Sequence, residues 1–173
     1  HQTTDGRAGV VTSDPSPSPE GGANESYWQT QVATAFGLGF MSPGPGTWGS
    51  LPGLAIGAFL SWYGSPLWSI LVIAAFSALA LYTIRYTEQK WNAHDPGAIV
   101  IDEVVGQIIA VAFLPCTWVS VIAAFVVFRI LDISKPFPIS WCDQKLPGAW
   151  GTLLDDIVAG AIACVLLLVV LAI

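Results

Sequence analysis

The stretch AIVIDEVVGQIIAVAFL, residues 98–114, is an apolar run with an acidic pair, Asp102 and Glu103, near its beginning. A second acidic pair stands near the start of the last apolar run, residues 153–173, and one aspartate directly follows the run at residues 118–131. These further acidic residues are Asp155, Asp156 and Asp132. Carboxylates beside apolar helices cost free energy unless a helix dipole, a cation or hydrogen bonds stabilise them. Because only 10% of the residues are charged, this placement predicts a cation site.

The composition is typical of a one-domain polytopic membrane protein. The chain has 173 residues, of which 54% are hydrophobic and eight are tryptophan, and its mean hydropathy is +0.64. The formal net charge of -6 argues against a nucleic-acid partner, and a phosphate substrate would need a cation between it and the acids. The three cysteines are widely spaced and form no zinc or disulfide pattern, so we interpret them as apolar packing residues.

The chain divides into a polar tail and an apolar remainder. Residues 1–26 are rich in Ser, Pro, Gly, Asp and Glu, which predicts a disordered tail, and residues 27–173 form the predicted helical domain. That domain contains five apolar segments, whose length and lack of alternation predict helices. The segments are residues 51–63, 67–84, 98–114, 118–131 and 153–173. We therefore predict an all-α, polytopic, membrane-embedded helical bundle.

Segment length limits how many of these helices can cross a bilayer. A perpendicular span needs about 20 residues, and only the second and fifth segments meet that requirement comfortably. The first segment contains Pro52 and several glycines, which leaves open a re-entrant segment. A compact bundle partly sunk in the bilayer fits these lengths better than five full spans.

Charge placement predicts which side of the membrane carries the site. Basic residues follow the second and the fourth apolar segments, which the positive-inside rule places in the cytoplasm. These residues are Arg85, Lys90, Arg129, Lys135 and Lys145. If the helices alternate in direction, the acidic residues and the Gly/Pro-rich loop at residues 37–50 lie on the same face. The breaks at residues 64–66 and 115–117 carry no charge, so every candidate polar group converges on the cytoplasmic side.

Clustered carboxylates favour hard cations, and Mg²⁺ above all when phosphate oxygens complete its coordination shell. The predicted Mg²⁺ ligands are Asp102, Glu103, Asp155 and Asp156. Asp132 is a further ligand or the general base, and we expect Asp156 to be essential for turnover. Helix capping and pairing with Arg129 and Lys135 explain either acidic pair alone about equally well. The convergence of all these acids on one face favours the metal site.

Other residues are candidates for binding phosphate or moving a proton. The loop SPGPGTWGS, residues 42–50, opens a helix whose free N–H groups favour an anion. The predicted phosphate-binding residues are Gly46, Thr47, Ser50, Arg129 and Lys135. His94 is a candidate general acid toward a leaving alkoxide. Each has a simpler alternative: the loop as a turn, Lys135 as a snorkelling surface lysine, and His94 as a solvated loop residue.

The motifs that are absent narrow the chemistry. The sequence contains no G-x-S-x-G elbow, no cysteine closely followed by arginine and no D-x-D pair. A covalent serine, cysteine or aspartyl-phosphate intermediate therefore has little support. Direct attack by a metal-activated water on a phosphate remains the predicted reaction.

Four motifs, taken together and in order, resemble the phosphatidylglycerophosphatase A family. They are FGLG with SPGPGTWGS, residues 36–39 and 42–50, then HDPGAIVIDEVVG at 94–106, FRILDISKPFP at 128–138 and LDDIVAG at 154–160. The similarity covers essentially the whole chain after the tail. The doubled Pro-Gly at residues 43–46 departs from the simpler Ser-Pro-Gly-Thr of the family, and it blurs which glycine approaches phosphate.

This resemblance implies a Mg²⁺-dependent phosphatase of the bacterial inner membrane. Its reaction would convert phosphatidylglycerophosphate to phosphatidylglycerol and inorganic phosphate, with the lipid substrate and membrane lipids as partners and no protein partner indicated. One alternative is a CDP-alcohol phosphatidyltransferase, whose D-G-x-x-A-R opening is absent here. Another is a cation channel or transporter, which would place its acids near the bilayer midplane and not at one face.

Overall fold

The computed structural model describes residues 27–172, and these residues form helices and connecting turns with no strand. The predicted disordered tail at residues 1–26 lies outside the described residues. The seven α-helices of the described part are α1 Trp28–Ala33, α2 Pro45–Tyr63, α3 Pro66–Trp91, α4 Ile101–Ala112, α5 Trp118–Ser134, α6 Ile139–Lys145 and α7 Ala149–Leu171. A short 3₁₀-helix, Leu38–Phe40, joins α1 to the loop before α2. The predicted all-α class is confirmed.

The helices begin and end where the sequence supplies breaking and capping residues. Gly44 has a φ of 71° and precedes α2, which begins at Pro45; proline suits the first helical position because its missing N–H would have no partner there. Gly64, with a φ of 72°, ends α2 and donates its N–H to the carbonyl of Leu60 at 3.1 Å. At the start of α5 the Thr117 hydroxyl oxygen accepts the N–H of Ser120 at 3.1 Å.

The helix lengths of the described residues agree with the prediction that the second and fifth apolar segments are the ones long enough to span a bilayer. Among the described residues, two helices are long and apolar enough to cross a bilayer by length and composition, Pro66–Trp91 and Ala149–Leu171. They correspond to the second and fifth predicted segments. The third segment became α4, which has 12 residues and is therefore only about 18 Å long at 1.5 Å per residue. That length suits a buried core helix, as does its position in the fold.

Helix α4 lies at the centre of the bundle. It packs against α2, α3, α5 and α7, and 10 of its 12 residues are buried. An apolar helix enclosed on all sides gains its stability from burying side chains against four neighbours. The polar residues at its beginning, Asp102 and Glu103, are consequently held at a position that the surrounding helices determine.

Glycines allow the neighbouring helices to approach α4 closely. Gly49, Gly53 and Gly57 of α2 are spaced four residues apart, so they form one face of the helix. A Cβ atom on Gly53 would lie 3.0 Å from the carbonyl carbon of Val104 in α4. On the opposite side, a Cβ atom on Gly160 of α7 would lie 3.0 Å from the carbonyl carbon of Gly106. The backbone of α4 thus touches helices on two sides.

The contact between α4 and α7 predicts that Gly160→Ala destabilises the protein. The added methyl group would collide with the Gly106 backbone, and overpacking of this kind costs about 1–3 kcal/mol, although alanine is intrinsically favoured over glycine inside a helix by about 1 kcal/mol. Unfolding of the detergent-purified protein measures the change. Gly97→Ala is the matched control, because a Cβ atom there meets no atom within 4 Å. Equal midpoints for both variants would contradict the close contact.

Candidate active site

The crossing of α4 and α7 brings two acidic residues together. Asp102 precedes Gly106 by four residues, and Asp156 precedes Gly160 by four, so each carboxylate lies one turn from the glycine contact on the same helix face. Both side chains are buried, with 5% of Asp102 and 3% of Asp156 exposed. Burial, and after it the negative charge of Glu103, raises the pKa of Asp102 well above its usual range.

A cavity of about 300 Å³ opens beside this crossing. Six carboxylates and two cations line it, together with backbone from the start of α2 and from the loop before α4. The carboxylates are Asp95, Asp102, Glu103, Asp132, Asp155 and Asp156, and the cations are Arg129 and Lys135. Every predicted metal ligand lies in this lining. The excess of negative charge is unusual for a partly enclosed space, because unpaired buried charge is costly.

Arg129 from α5 joins two of the acids. Its Nη1 atom lies 3.4 Å from Glu103 Oε1 and 2.5 Å from Asp132 Oδ2, the latter three residues further along the same helix. Burial raises the pKa of Glu103 to about 7, although the charge of Arg129 opposes that rise. Gly46 makes room for this group, because a Cβ atom there would overlap the Glu103 carboxylate.

Lys135 joins the end of α5 to α7 and α6. Its Nζ atom donates to Asp155 Oδ2 at 2.7 Å and to Asp143 Oδ1 at 2.8 Å. Burial by itself would lower the pKa of Lys135, but these two hydrogen bonds raise it above the usual range, so the ammonium stays charged. Lys135 therefore supplies a fixed positive charge in the cavity wall.

Several polar atoms in the cavity wall have no hydrogen-bond partner among the described residues. They are Glu103 Oε2, Arg129 Nε and Asp156 Oδ1, all buried. The Asp102 and Asp155 carboxylates, in contrast, each have a backbone partner. One oxygen of each accepts the N–H of the next residue, at 2.9 Å for Asp102 and 3.0 Å for Asp155. Buried polar atoms without partners are rare in native proteins and indicate a missing water, ion or ligand.

The donors suit Mg²⁺ in chemistry, since hard divalent cations prefer carboxylate oxygens. In the arrangement of residues 27–172, however, no three His, Cys, Asp or Glu side chains converge closely enough to hold a metal ion. Side-chain rotation would be needed to bring the oxygens of α4 and α7 onto one ion. Glu103 Oε2 and Asp156 Oδ1 have no hydrogen bond to lose in that rotation, whereas the other oxygen of Glu103 would move relative to Arg129.

Three of the residues predicted from sequence are not in the cavity lining. Thr47 is exposed in the first turn of α2. Ser50 is buried and donates its hydroxyl hydrogen to the carbonyl of Gly46 at 2.8 Å, which is a bond within the helix. His94 is exposed, and its Nδ1 atom lies 3.0 Å from Glu88 Oε1. Their proposed roles stay predictions, whereas Gly46, Arg129 and Lys135 do line the cavity.

The structure also shows functional candidates that sequence reasoning missed. Asp95 and Thr152 line the cavity, and Asp143 holds Lys135 from α6. Asp95 directly follows His94 in the motif at residues 94–106, and this position is the one feature of the sequence that could have indicated a role for it. Thr152 and Asp143 carry no comparable signal in the sequence, because a threonine in the first turn of a helix and an aspartate in a short polar helix are ordinary.

Comparison with known proteins identifies the family. A family model described as phosphatidylglycerophosphatase A matches residues 31–171. The chain belongs to the phosphatidylglycerophosphatase A family. The match includes every residue of the cavity lining, from Gly44 to Asp156, and membership makes the protein a phosphatase.

Relatives in this phosphatidylglycerophosphatase A family cover most of the chain. A phosphatidylglycerophosphatase A of Haemophilus influenzae is 40% identical over 136 residues, which are 78% of this chain and 83% of the relative. The corresponding enzyme of Escherichia coli K12 is 38% identical over 133 residues, 76% of this chain and 77% of the relative. A candidate phosphatidylinositol-3-phosphatase of Bacteroides thetaiotaomicron is 32% identical over 152 residues, which are 83% of this chain and 94% of the relative. No solved structure matches the chain.

The raised pKa of Glu103 predicts how stability depends on pH when divalent cations are absent. Between its ordinary value of 4.5 and the folded value of about 7, the folded protein holds a proton that the unfolded chain has lost. The contribution of Glu103 to the free energy of unfolding therefore falls as pH rises through this window, by up to about 1.4 kcal/mol per pH unit, and this contribution levels off above pH 7. Unfolding midpoints of chelator-treated protein at several pH values measure this slope. Glu103→Gln should reduce it, and parallel profiles for the two proteins would contradict the assignment.

Proposed function

We propose that this phosphatase hydrolyses the terminal phosphate monoester of phosphatidylglycerophosphate, releasing phosphatidylglycerol and inorganic phosphate. The observation that carries the proposal is the family match over residues 31–171, which contains the whole acidic cavity. The names of the Haemophilus influenzae and Escherichia coli relatives support the same substrate. A cavity with two fixed cations at the ends of apolar helices also suits a phosphate carried on a lipid.

The proposed cofactor is Mg²⁺, held by Asp102, Glu103, Asp155 and Asp156. Two features support it: six carboxylates face only two cations in the cavity, and carboxylate oxygens lack partners. When bound, Mg²⁺ would neutralise charge on the phosphate and supply Lewis-acid chemistry. The carboxylates themselves would lose their mutual repulsion, so cation binding should also stabilise the folded protein.

The remaining steps follow from the protein's own residues. Arg129 and Lys135 attract the phosphate, and the unpartnered Nε–H of Arg129 can donate to one of its oxygens. Asp132 or Asp156 takes a proton from the attacking water. The oxygen of that water bonds to phosphorus while the ester P–O bond breaks. The leaving alkoxide then needs a proton. His94 is the proposed donor, and its exposed side chain would have to turn away from Glu88 and toward the cavity.

The proposed setting is a bacterial cytoplasmic membrane, with α3 and α7 crossing it and the cavity on the cytoplasmic side. The end of α3 and the start of α7 meet at this side of the bundle, where Thr152 lies 3.3 Å from Glu88. The basic residues in the last two turns of α3 and those near and just after the end of α5 lie there too, which is the arrangement that the positive-inside rule expects. Cys116 is exposed at the uncharged opposite turn. Labelling of that thiol by an impermeant reagent from the outer side of intact cells tests the orientation.

Two other functions are less well supported. A CDP-alcohol phosphatidyltransferase would need its own signature, which the sequence lacks. A cation channel would need acids distributed along a path through the bundle, whereas the acids here gather in one cavity. The Bacteroides thetaiotaomicron relative makes a 3-phosphorylated inositol lipid the more informative competing substrate.

The decisive experiment measures phosphate release by the detergent-purified protein from phosphatidylglycerophosphate, with Mg²⁺ and with excess EDTA. We expect release with Mg²⁺ and none with EDTA, and much slower release from phosphatidylinositol 3-phosphate. Faster turnover of the inositol lipid would contradict the proposed substrate. Full activity in EDTA would contradict the proposed cofactor.

Asp156→Asn is the matched inactive variant for this assay. It removes a carboxylate proposed to bind the cation and accept a proton, so turnover should fall by about 10²–10⁴-fold. The unfolding midpoint should not fall, because the change removes one of several buried like charges. Glu25→Gln makes the same chemical change outside the family match at residues 31–171 and should leave turnover unchanged. Activity of Asp156→Asn near that of wild type would contradict the assigned role.

A further inference from the structure

One carboxylate oxygen outside the cavity lining accepts hydrogen bonds from two separate segments. Glu88 lies in the last turn of α3, and its side chain is 11% exposed. Its Oε1 atom accepts the backbone N–H of Asp95 at 3.0 Å and the hydroxyl of Thr152 at 3.3 Å. The same atom lies 3.0 Å from Nδ1 of His94. The side chain of Glu88 therefore links α3, the loop before α4 and the first turn of α7.

Two of these three neighbours line the cavity. Asp95 and Thr152 are both part of its wall. Asp95 adopts a φ of 46°, a left-handed conformation that residues other than glycine rarely adopt. The hydrogen bond from its N–H to Glu88 holds the loop in that conformation. This bond is therefore a direct tie between α3 and the residue that carries the Asp95 carboxylate.

We propose that Glu88 is a positioning residue for the phosphatase reaction, holding Asp95 and Thr152 in the cavity wall through its single oxygen Oε1. This inference rests on the proposed function, because it takes that cavity as the site of phosphate hydrolysis. Glu88 touches no substrate; it acts through the loop and through α7. A shift of about 1 Å in groups around a reacting phosphate can cost about 10²-fold in rate, so the linkage affects turnover more than binding.

The geometry separates hydrogen bonding from charge. A glutamine at position 88 keeps a side-chain oxygen that can accept from the Asp95 N–H and the Thr152 hydroxyl, whereas an alanine removes the acceptor. If acceptance by Oε1 is what matters, Glu88→Gln retains function and Glu88→Ala does not. If the negative charge beside His94 is what matters, the two variants fail alike.

The test compares kcat, KM and the unfolding midpoint of Glu88→Ala and Glu88→Gln, with Gln89→Ala as control. Gln89 is the exposed neighbour on the same helix and accounts for general disturbance of α3. We expect Glu88→Ala to lower kcat by roughly 10- to 100-fold with KM within about threefold, and Glu88→Gln to restore kcat to within about threefold of wild type. Gln89→Ala should match wild type.

Thr152→Val provides a second arm, and as a single variant it does not depend on folding of the alanine variant. It removes the hydroxyl that bonds to Glu88, so kcat should fall by less than in Glu88→Ala, which also loses the bond from Asp95. Added to Glu88→Ala it should cause little further loss, because the acceptor of that hydroxyl is already absent. Additive losses, wild-type kcat in Glu88→Ala, or no rescue in Glu88→Gln would each overturn the inference. Wild type is assayed in parallel on phosphatidylglycerophosphate and on p-nitrophenyl phosphate. If wild type hydrolyses p-nitrophenyl phosphate but not phosphatidylglycerophosphate, the proposed substrate is wrong. The role of Glu88 is then still tested by comparing the variants on p-nitrophenyl phosphate.

Discussion

The direct contact of two helix backbones at Gly106 and Gly160 is the constraint on which the site depends. A Cβ atom on Gly106 would lie 2.7 Å from the backbone oxygen of Asp156, so any larger residue would push α7 away from α4. Because Asp102 stands one turn from the same contact, the glycines determine how far apart the carboxylates on the two helices lie. The glycines of α2 have the same effect on the other side, where the absence of a side chain at Gly46 leaves space for Glu103. The geometry of the acidic cavity is thus a consequence of packing around a short buried helix.

That packing stabilises the fold and leaves the cavity with unbalanced charge. The apolar faces of α4 favour the bundle whatever the ionisation state of its first turn, and backbone N–H groups at the starts of helices partly stabilise the nearby carboxylates. Arg129 and Lys135 each already contact two acids, which leaves the other carboxylates without a neutralising partner in the described residues. Burial, and with it this imbalance, raises the pKa of Asp102 and Glu103, and the imbalance is one of the features on which the proposed Mg²⁺ site rests.

Charge scarcity explains why much of the site was predictable from sequence. In a chain with 10% charged residues, acids next to apolar runs stand out, and alternation of helix direction was enough to place Asp102, Asp132 and Asp155 together. The same reasoning could not find Thr152, since its importance comes from a hydrogen bond to a residue 64 positions earlier. Segment length was informative as well: the second and fifth segments, which the sequence marks as long enough to cross a bilayer, are the two candidate spans among the described residues. The burial of α4 was not visible in its composition, because it results from the four helices that surround it.

In the proposed membrane orientation, helix α7 both contacts the lipid and carries residues of the acidic cavity. It is the more apolar of the two candidate spans, and it also carries Asp155 and Asp156, six and seven residues from its start at Ala149. At 1.5 Å per residue these acids lie roughly 9–10 Å along the helix. The headgroup layers add about 5–8 Å on each side of the hydrocarbon core, so a helix that begins at the membrane surface places the acids near the inner edge of that layer. A lipid phosphate can enter the cavity at this depth while its acyl chains stay in the bilayer, whereas a site deeper in the bundle would require the charged headgroup to leave water entirely.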